Sequence, residues 1–132
     1  MFPDREKADE FLSSVVAPAL EEVAGELAEQ NVRAEVVSSV DEHGQPAIEL
    51  TTDVTADLPF SYKVQHVPVP VPAYGGWAPR GNDVYSRLEV HLRDGGQGYD
   101  VMGYTQTQLI DDVLDQYERH LEFLRRHDGT GV

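Results

Sequence analysis

Stretches of alternating polarity fill the middle of the chain, and they constrain its fold more than any other feature. Apolar and polar residues alternate in four stretches, which are centred on Val36, Ile48, Val64 and Val90. A period of two residues is typical of a strand with one buried face. Short polar turns, such as residues 41–44, join consecutive stretches, so the strands are expected to pair antiparallel. A short fifth strand is expected over residues 99–102.

One amphipathic helix is predicted before these strands in the sequence, and another is predicted after them. In the first, residues 4–30, apolar residues recur every four positions. Pro18 means that this helix either kinks or restarts with the proline in its first turn, and the unbroken apolar stripe favours a kink. The second, residues 106–126, follows Thr105, which is expected to form a capping box with Gln108. Its predicted buried seam consists of Ile110, Leu114, Tyr117, Leu121 and Leu124.

This order of elements predicts an α+β fold. The expected architecture is a two-layer sandwich, in which a four- or five-stranded antiparallel sheet carries the N- and C-terminal helices on one face. A length of 132 residues fits a single soluble domain that spans residues 1–132.

Charge and composition exclude several classes of function. The chain has 24 acidic and 10 basic residues and a formal net charge of −14, which argues against nucleic acid and anionic lipid as partners. It has no cysteine, so disulfides, thiolate nucleophiles and zinc–thiolate sites are excluded. Its apolar runs are too short for a membrane helix and its start does not resemble a secretion signal, so we expect a cytoplasmic protein that does not insert into the membrane.

The search for catalytic and metal motifs gives no candidate. The glycines between residues 95 and 103 do not match a nucleotide-binding pattern and are typical of a hairpin turn. Acidic residues at the start of the last helix are expected from the helix dipole, and no His-Glu-x-x-His spacing is present. His66 and His91 are expected to be half-buried or surface imidazoles rather than ligands or general bases. Glu49 and Glu89 could form a carboxylate pair if their strands are neighbours, but both are expected on a solvated face. The sequence predicts no enzyme, no cofactor and no metal.

The segment between the third and fourth strands is the strongest candidate for a contact surface. Alternating prolines at 68, 70 and 72 favour extended, polyproline-like backbone, and a long turn-rich loop follows. An aromatic cage for a quaternary ammonium ion is one interpretation, and aromatics that pin the loop to the sheet are a simpler one. Protein docking fits the residue types better than a cage does, because Trp, Tyr and Arg dominate interface hot spots. The candidate docking residues are Pro70, Pro72, Tyr74, Trp77, Arg80 and Tyr85.

A motif near the end of the chain resembles the C-terminal, cytoplasmic domain of BetT-type high-affinity choline transporters, in the betaine/choline/carnitine transporter family. The resemblance covers about residues 11–124 and is weaker between residues 41 and 85. The residues that carry it are Gly95, Gly96, Gln97, Tyr99, Asp100, Val101, Met102, Gly103, Asp115, Gln116, Tyr117 and His120.

The resemblance implies a domain that adjusts transport to osmotic or ionic conditions, with the membrane transporter core as its partner, in cis or in trans. The membrane-spanning part of such carriers is absent from this sequence, so no transport by this chain alone is implied. A second interpretation is a small acidic adaptor or chaperone-like protein that forms a homodimer. Neither an excised domain nor a free-standing relative of the domain is favoured by the sequence.

Overall fold

The first helical segment accommodates Pro18 by changing its helix type. The computed structural model describes residues 4–52, 59–70, 84–92 and 98–129. In it, helix α1 (Arg5–Phe11) continues through a π-helical turn (Leu12–Val16) into helix α2 (Ala17–Glu29). The Ala17 amide donates to the Leu12 carbonyl, five residues back, and Pro18 falls in the first turn of α2, where a missing N–H is tolerated. The π-helical turn just before Pro18 therefore allows the helical segment to continue through the proline.

The strands form one antiparallel meander, as the alternating pattern predicts. β1 (Ala34–Val40), β2 (Pro46–Thr52), β3 (Ser61–Pro70) and β4 (Val84–Leu92) pair in the order β1-β2-β3-β4. The expected fifth strand is reduced to an isolated bridge between Asp100 and Glu89 on the outer edge of β4.

Pro68 and Pro70 lie at the end of β3, in a part of the strand that pairs with β4 alone among the described strands. They are paired with Ser86 and Val84 of β4. The direction of the neighbouring amides explains this: Leu88 donates its N–H to the Asp100 carboxylate, away from β3. Backbone direction alternates along a strand, so the nitrogens of His66, Pro68 and Pro70 point away from β4. β2 does not reach this part of β3, and the missing N–H groups leave no ladder bond unmade.

One core lies between the sheet and the helices. The sheet contributes the fully buried Leu50, Tyr62, Val64, Leu88 and Val90, which share one face by their register. Helix α2 covers this face with Leu20, Val23 and Leu27, among others.

The C-terminal helix, α3 (Gln106–Gly129), packs on the same face of the sheet. It is rotated slightly about its own axis, so the line of side chains that faces the core is not the predicted one. Leu109, Val113 and Tyr117 form its buried line, whereas Leu114 and Leu121 are only half-buried beside it. Of the predicted buried seam, Tyr117 is buried as expected, whereas Ile110, Leu114, Leu121 and Leu124 are only half-buried. Two adjacent lines of α3 are apolar, and packing selects the line with Leu109 and Val113. Within the described ranges, none of the helices combines the length and apolar character needed to cross a bilayer.

Candidate functional site

Most of the predicted docking segment lies outside the described residues. This applies to Pro72, Tyr74, Trp77 and Arg80, and also to Gly95, Gly96 and Gln97 of the transporter-like motif. Pro70 is exposed at the end of β3, and Tyr85 is half-buried near the start of β4. Val69 pairs with Tyr85, so the structure brings two of the predicted docking residues to the same end of the β3–β4 hairpin.

In the first half of the transporter-like motif, the described residues from Tyr99 to Val101 lie along the outer edge of β4. One carboxylate oxygen of Asp100 accepts from the amides of Leu88 at 3.1 Å and Met102 at 3.0 Å. The Val101 amide donates to the Leu88 carbonyl at 2.9 Å, and the Val101 side chain is fully buried. Gly103 has a φ of 91°, a left-handed conformation that favours glycine at this turn into α3. These residues connect the outer edge of β4 to the start of α3 and hold the two in place.

A partly buried polar cluster joins strand β3 and the first half of the motif to α3. The Tyr62 hydroxyl donates to Asp112 Oδ2 at 2.6 Å, and the Tyr99 hydroxyl donates to the same oxygen at 2.5 Å. The Gln116 amide donates to the Tyr99 hydroxyl at 3.3 Å. Burial, and then the hydrogen bond to Asp112, raise the pKa of both tyrosines, so both hydroxyls stay protonated donors. We call these four residues the Tyr–Asp cluster.

The remaining motif residues of α3 have distinct positions. Tyr117 packs edge-on against Phe60, with ring centroids 5.4 Å apart, and His120 also stacks near Phe60 at 5.6 Å. Asp115 is at the surface and forms an ion pair with Arg119 at 3.2 Å, as its i,i+4 spacing predicts. The described motif residues thus take part in packing, hydrogen bonds and an ion pair within the domain.

Sequence analysis missed the role of Asp112. The helix dipole alone accounts for an acidic residue at position 112, and the strand pattern gives no reason to expect a partner for Tyr62. The available signal was that residue 112 lies between Leu109 and Gln116 on the inner side of an amphipathic helix, where an acidic residue needs donors.

His66 occupies a second buried polar position, on the helix-covered face. The residue is 3% exposed, with Nδ1 2.5 Å from the Gln45 side-chain oxygen and Nε2 2.8 Å from the Ser86 hydroxyl. Burial, followed by the charge of Arg5, lowers the pKa of His66, while Asp9 and Asp41 oppose this shift. A neutral ring that donates from Nδ1 and accepts at Nε2 satisfies both partners.

The opposite face of the sheet carries charged residues that pair locally. Glu49 lies in register with Lys63 and is hydrogen-bonded by Ser61, whereas Glu89 contacts Arg87 at 3.5 Å and His91 at 3.4 Å. Glu49 and Glu89 therefore do not form a carboxylate pair. Among the described residues, no group of three or more metal-ligating side chains comes together.

The fold and the motif residues belong to an acidic α+β domain that is homologous to one segment of bacterial choline and glycine betaine transporters. The chain is 36% identical to the high-affinity choline transport protein of Escherichia coli K12 over 128 residues, which is 96% of this chain. It is 34% identical over 86% of its length to the osmo-dependent choline transporter BetT2 of Acinetobacter baylyi. It is also 33% identical over 89% of its length to a glycine betaine transporter of the same organism.

These matches confirm the resemblance to BetT-type choline transporters that the motif indicated. The chain spans only 19% of the length of the Escherichia coli relative and 17% of the two Acinetobacter relatives. No protein-family model matches the chain.

Proposed function

We propose that this chain is a C-terminal cytoplasmic regulatory domain of a choline or glycine betaine-type transporter, or a free-standing relative of such a domain. The observation that carries the proposal is the match of 96% of this chain to 19% of the Escherichia coli choline transport protein. A match of that shape is expected when this chain corresponds to one domain of a large carrier. The domain has no transport activity of its own, and its partner is the transporter core.

The proposed response is to ionic strength, and it arises from the charge of the domain. The net charge is −14, and Glu21, Glu22, Glu26 and Glu29 lie exposed along α2. On the exposed side of α3, by contrast, Asp115 and Glu122 pair with Arg119 and Arg126. The acidic side of α2 is therefore the stronger electrostatic surface.

A partner of opposite charge is available beside a transporter. Cytoplasmic loops of membrane proteins carry an excess of Lys and Arg, and an acidic domain below them is attracted. The Debye length falls from about 30 Å at 0.01 M salt to about 8 Å at 0.15 M. Rising cytoplasmic salt therefore weakens the contact, and release of the domain changes the rate of transport.

The test is a graft into the homologous carrier. The 128-residue segment of the Escherichia coli transporter that matches this chain is deleted or replaced by this chain. Choline uptake is measured in proteoliposomes against KCl, with sucrose of matched osmolality as control. We expect the deletion to keep basal uptake and lose the salt response, and the graft to restore the response. A salt response that survives the deletion, or a graft that restores nothing, contradicts the proposal.

A matched pair of variants tests the surface. Glu21, Glu26 and Glu29 are changed to Gln in one graft, and Asp111, Glu118 and Glu122 to their amides in the other. Each graft loses three negative charges, so an effect that depended on net charge alone would be the same in both grafts. The proposal requires a larger shift of the KCl midpoint in the α2 variant.

A further inference from the structure

The outer edge of β1 is an unpaired strand edge with exposed apolar side chains. β1 pairs with β2 on one side, and no described segment pairs with its other side. Val37 is 53% exposed and Val40 is 66% exposed. The opposite edge of the sheet differs, because the segment around Asp100 binds β4. Unprotected edges of this kind are templates for pairing with another strand.

The backbone groups that β1 offers can be derived from the register. The Thr52 amide donates to the Phe60 carbonyl, on the β3 side of β2. By alternation, the amide of Leu50 also faces β3 and thus away from its β1 partner, Val36. Val36 and Leu50 are then a pair without mutual hydrogen bonds, and the amide and carbonyl of Val36 face outward. The same holds for Ala34, Ser38 and Val40.

We propose that this edge pairs antiparallel with the same edge of a second copy, about a two-fold axis through Val37. Val36 then lies opposite Ser38 of the second copy, and Ala34 lies opposite its Val40. All of these residues have outward backbone groups, so each pair exchanges both N–H···O bonds. The two sheets become one continuous eight-stranded sheet.

The side chains of β1 are self-complementary in this register. The two Val37 side chains meet across the axis, on the face away from the helices, and reduce each other's exposure. Glu35 lies opposite Ser39 of the second copy, so no like charges oppose each other. An axis at Glu35 would instead place two carboxylates together, and an axis at Ser39 would leave part of β1 unpaired. The axis at Val37 aligns all seven residues of the strand.

Salt controls how readily the pair forms. Each copy carries a formal charge of −14, and repulsion between the copies opposes association at low ionic strength. Screening removes much of this repulsion at physiological salt. The inference stands apart from the proposed transporter role, since a domain that stays monomeric would leave that role intact.

A single cysteine at the axis gives a direct test, because the chain contains none of its own. In the Val37→Cys variant, the two Cα atoms are about 4.5 Å apart, within reach of a disulfide. In the matched Ser39→Cys variant, the two sulfur-bearing residues are about 14 Å apart along the strands. We expect mild oxidation at 0.15 M KCl to cross-link the first variant and not the second. Equal cross-linking of both, or of neither, overturns the proposal.

Two lysine variants test the register without a covalent bond. Val37→Lys and Ser39→Lys change the net charge equally, but the first opposes two ammonium groups and the second places each beside Glu35 of the other copy. In sedimentation equilibrium, we expect Val37→Lys to raise the dimer dissociation constant by about tenfold or more and Ser39→Lys to lower it. Circular dichroism verifies that both variants are folded. A shift in the same direction for both variants contradicts the two-fold pairing.

Discussion

Replacing Asp112 with alanine is expected to destabilise the domain through the two tyrosines that it leaves behind. Tyr62 is fully buried and its hydroxyl donates to Asp112 Oδ2. Without this acceptor, the buried hydroxyl keeps only the neighbouring Tyr99 hydroxyl as a partner, and the lost hydrogen bond costs about 1–3 kcal/mol. Tyr99 loses the same acceptor but keeps its contact with Gln116, so its share is smaller. We expect a total loss of about 2–4 kcal/mol in the free energy of unfolding.

A double-mutant cycle distinguishes this explanation from a general loss of helix stability. Tyr62→Phe alone removes one charge-assisted hydrogen bond and is expected to cost about 1–2 kcal/mol, since Asp112 keeps Tyr99 as a donor. In the double variant, the Tyr62 hydroxyl that lost its acceptor is absent. The loss in the free energy of unfolding should therefore be clearly less than the sum of the two single losses. Asp111→Ala is the control, because Asp111 is the exposed neighbour on α3.

The measurement is urea denaturation at pH 7, followed by far-ultraviolet circular dichroism. The reasoning is refuted if Asp112→Ala costs no more than Asp111→Ala. Additive costs in the Tyr62–Asp112 cycle would also refute it.

The packing line of α3 predicts that Leu109→Ala costs about 2–5 kcal/mol and Leu114→Ala clearly less, which calorimetric melting measures. Equal costs would contradict the observed packing line, and a larger cost for Leu114→Ala would place the helix in the seam expected from sequence. The lowered pKa of His66 means that its neutral form stabilises the fold, a contribution that is present above pH about 6.5 and lost as the pH falls below that value towards the folded-state pKa. Urea midpoints of the parent chain should therefore fall between pH 7 and pH 5 more than those of His66→Gln, and parallel curves would exclude His66 as the cause. Thr105→Ala removes the acceptor for the Gln108 amide and should cost about 1 kcal/mol, whereas a similar loss in the exposed control Thr107→Ala would show a general effect of the substitution.

Local chemistry was sufficient to predict the ends of several elements. Thr105 and Gln108 exchange the two hydrogen bonds of the predicted capping box, at 3.0 and 2.9 Å. Asp41 accepts from the amides of His43 and Gln45 in the predicted turn, and Gly44 has a φ of 78°. Each of these interactions joins residues at most four positions apart, so both partners can be recognised within one short stretch of sequence.

Interactions between distant segments could not be predicted from the sequence in the same way. Tyr62 and Asp112 are separated by 50 positions, and nothing near either residue identifies the other. The place of Pro68 in a strand depends on where β2 ends and on the direction of the β4 amides, which are properties of the assembled sheet. The rotation of α3 depends on which of two apolar lines fits against Phe60 and α2.

The meander order of the sheet also has a consequence for the order of folding. Every strand pairs with its neighbour in sequence, so the sheet contacts are local and the strands can pair soon after they are synthesised. Helix α3 is the last of the described elements, and until it docks, the apolar surface around Phe60 and Tyr62 lacks its cover. Docking of α3 is therefore expected to be the late, cooperative step. A chain cut before Gln106 should be held by chaperones rather than persist as a smaller stable domain.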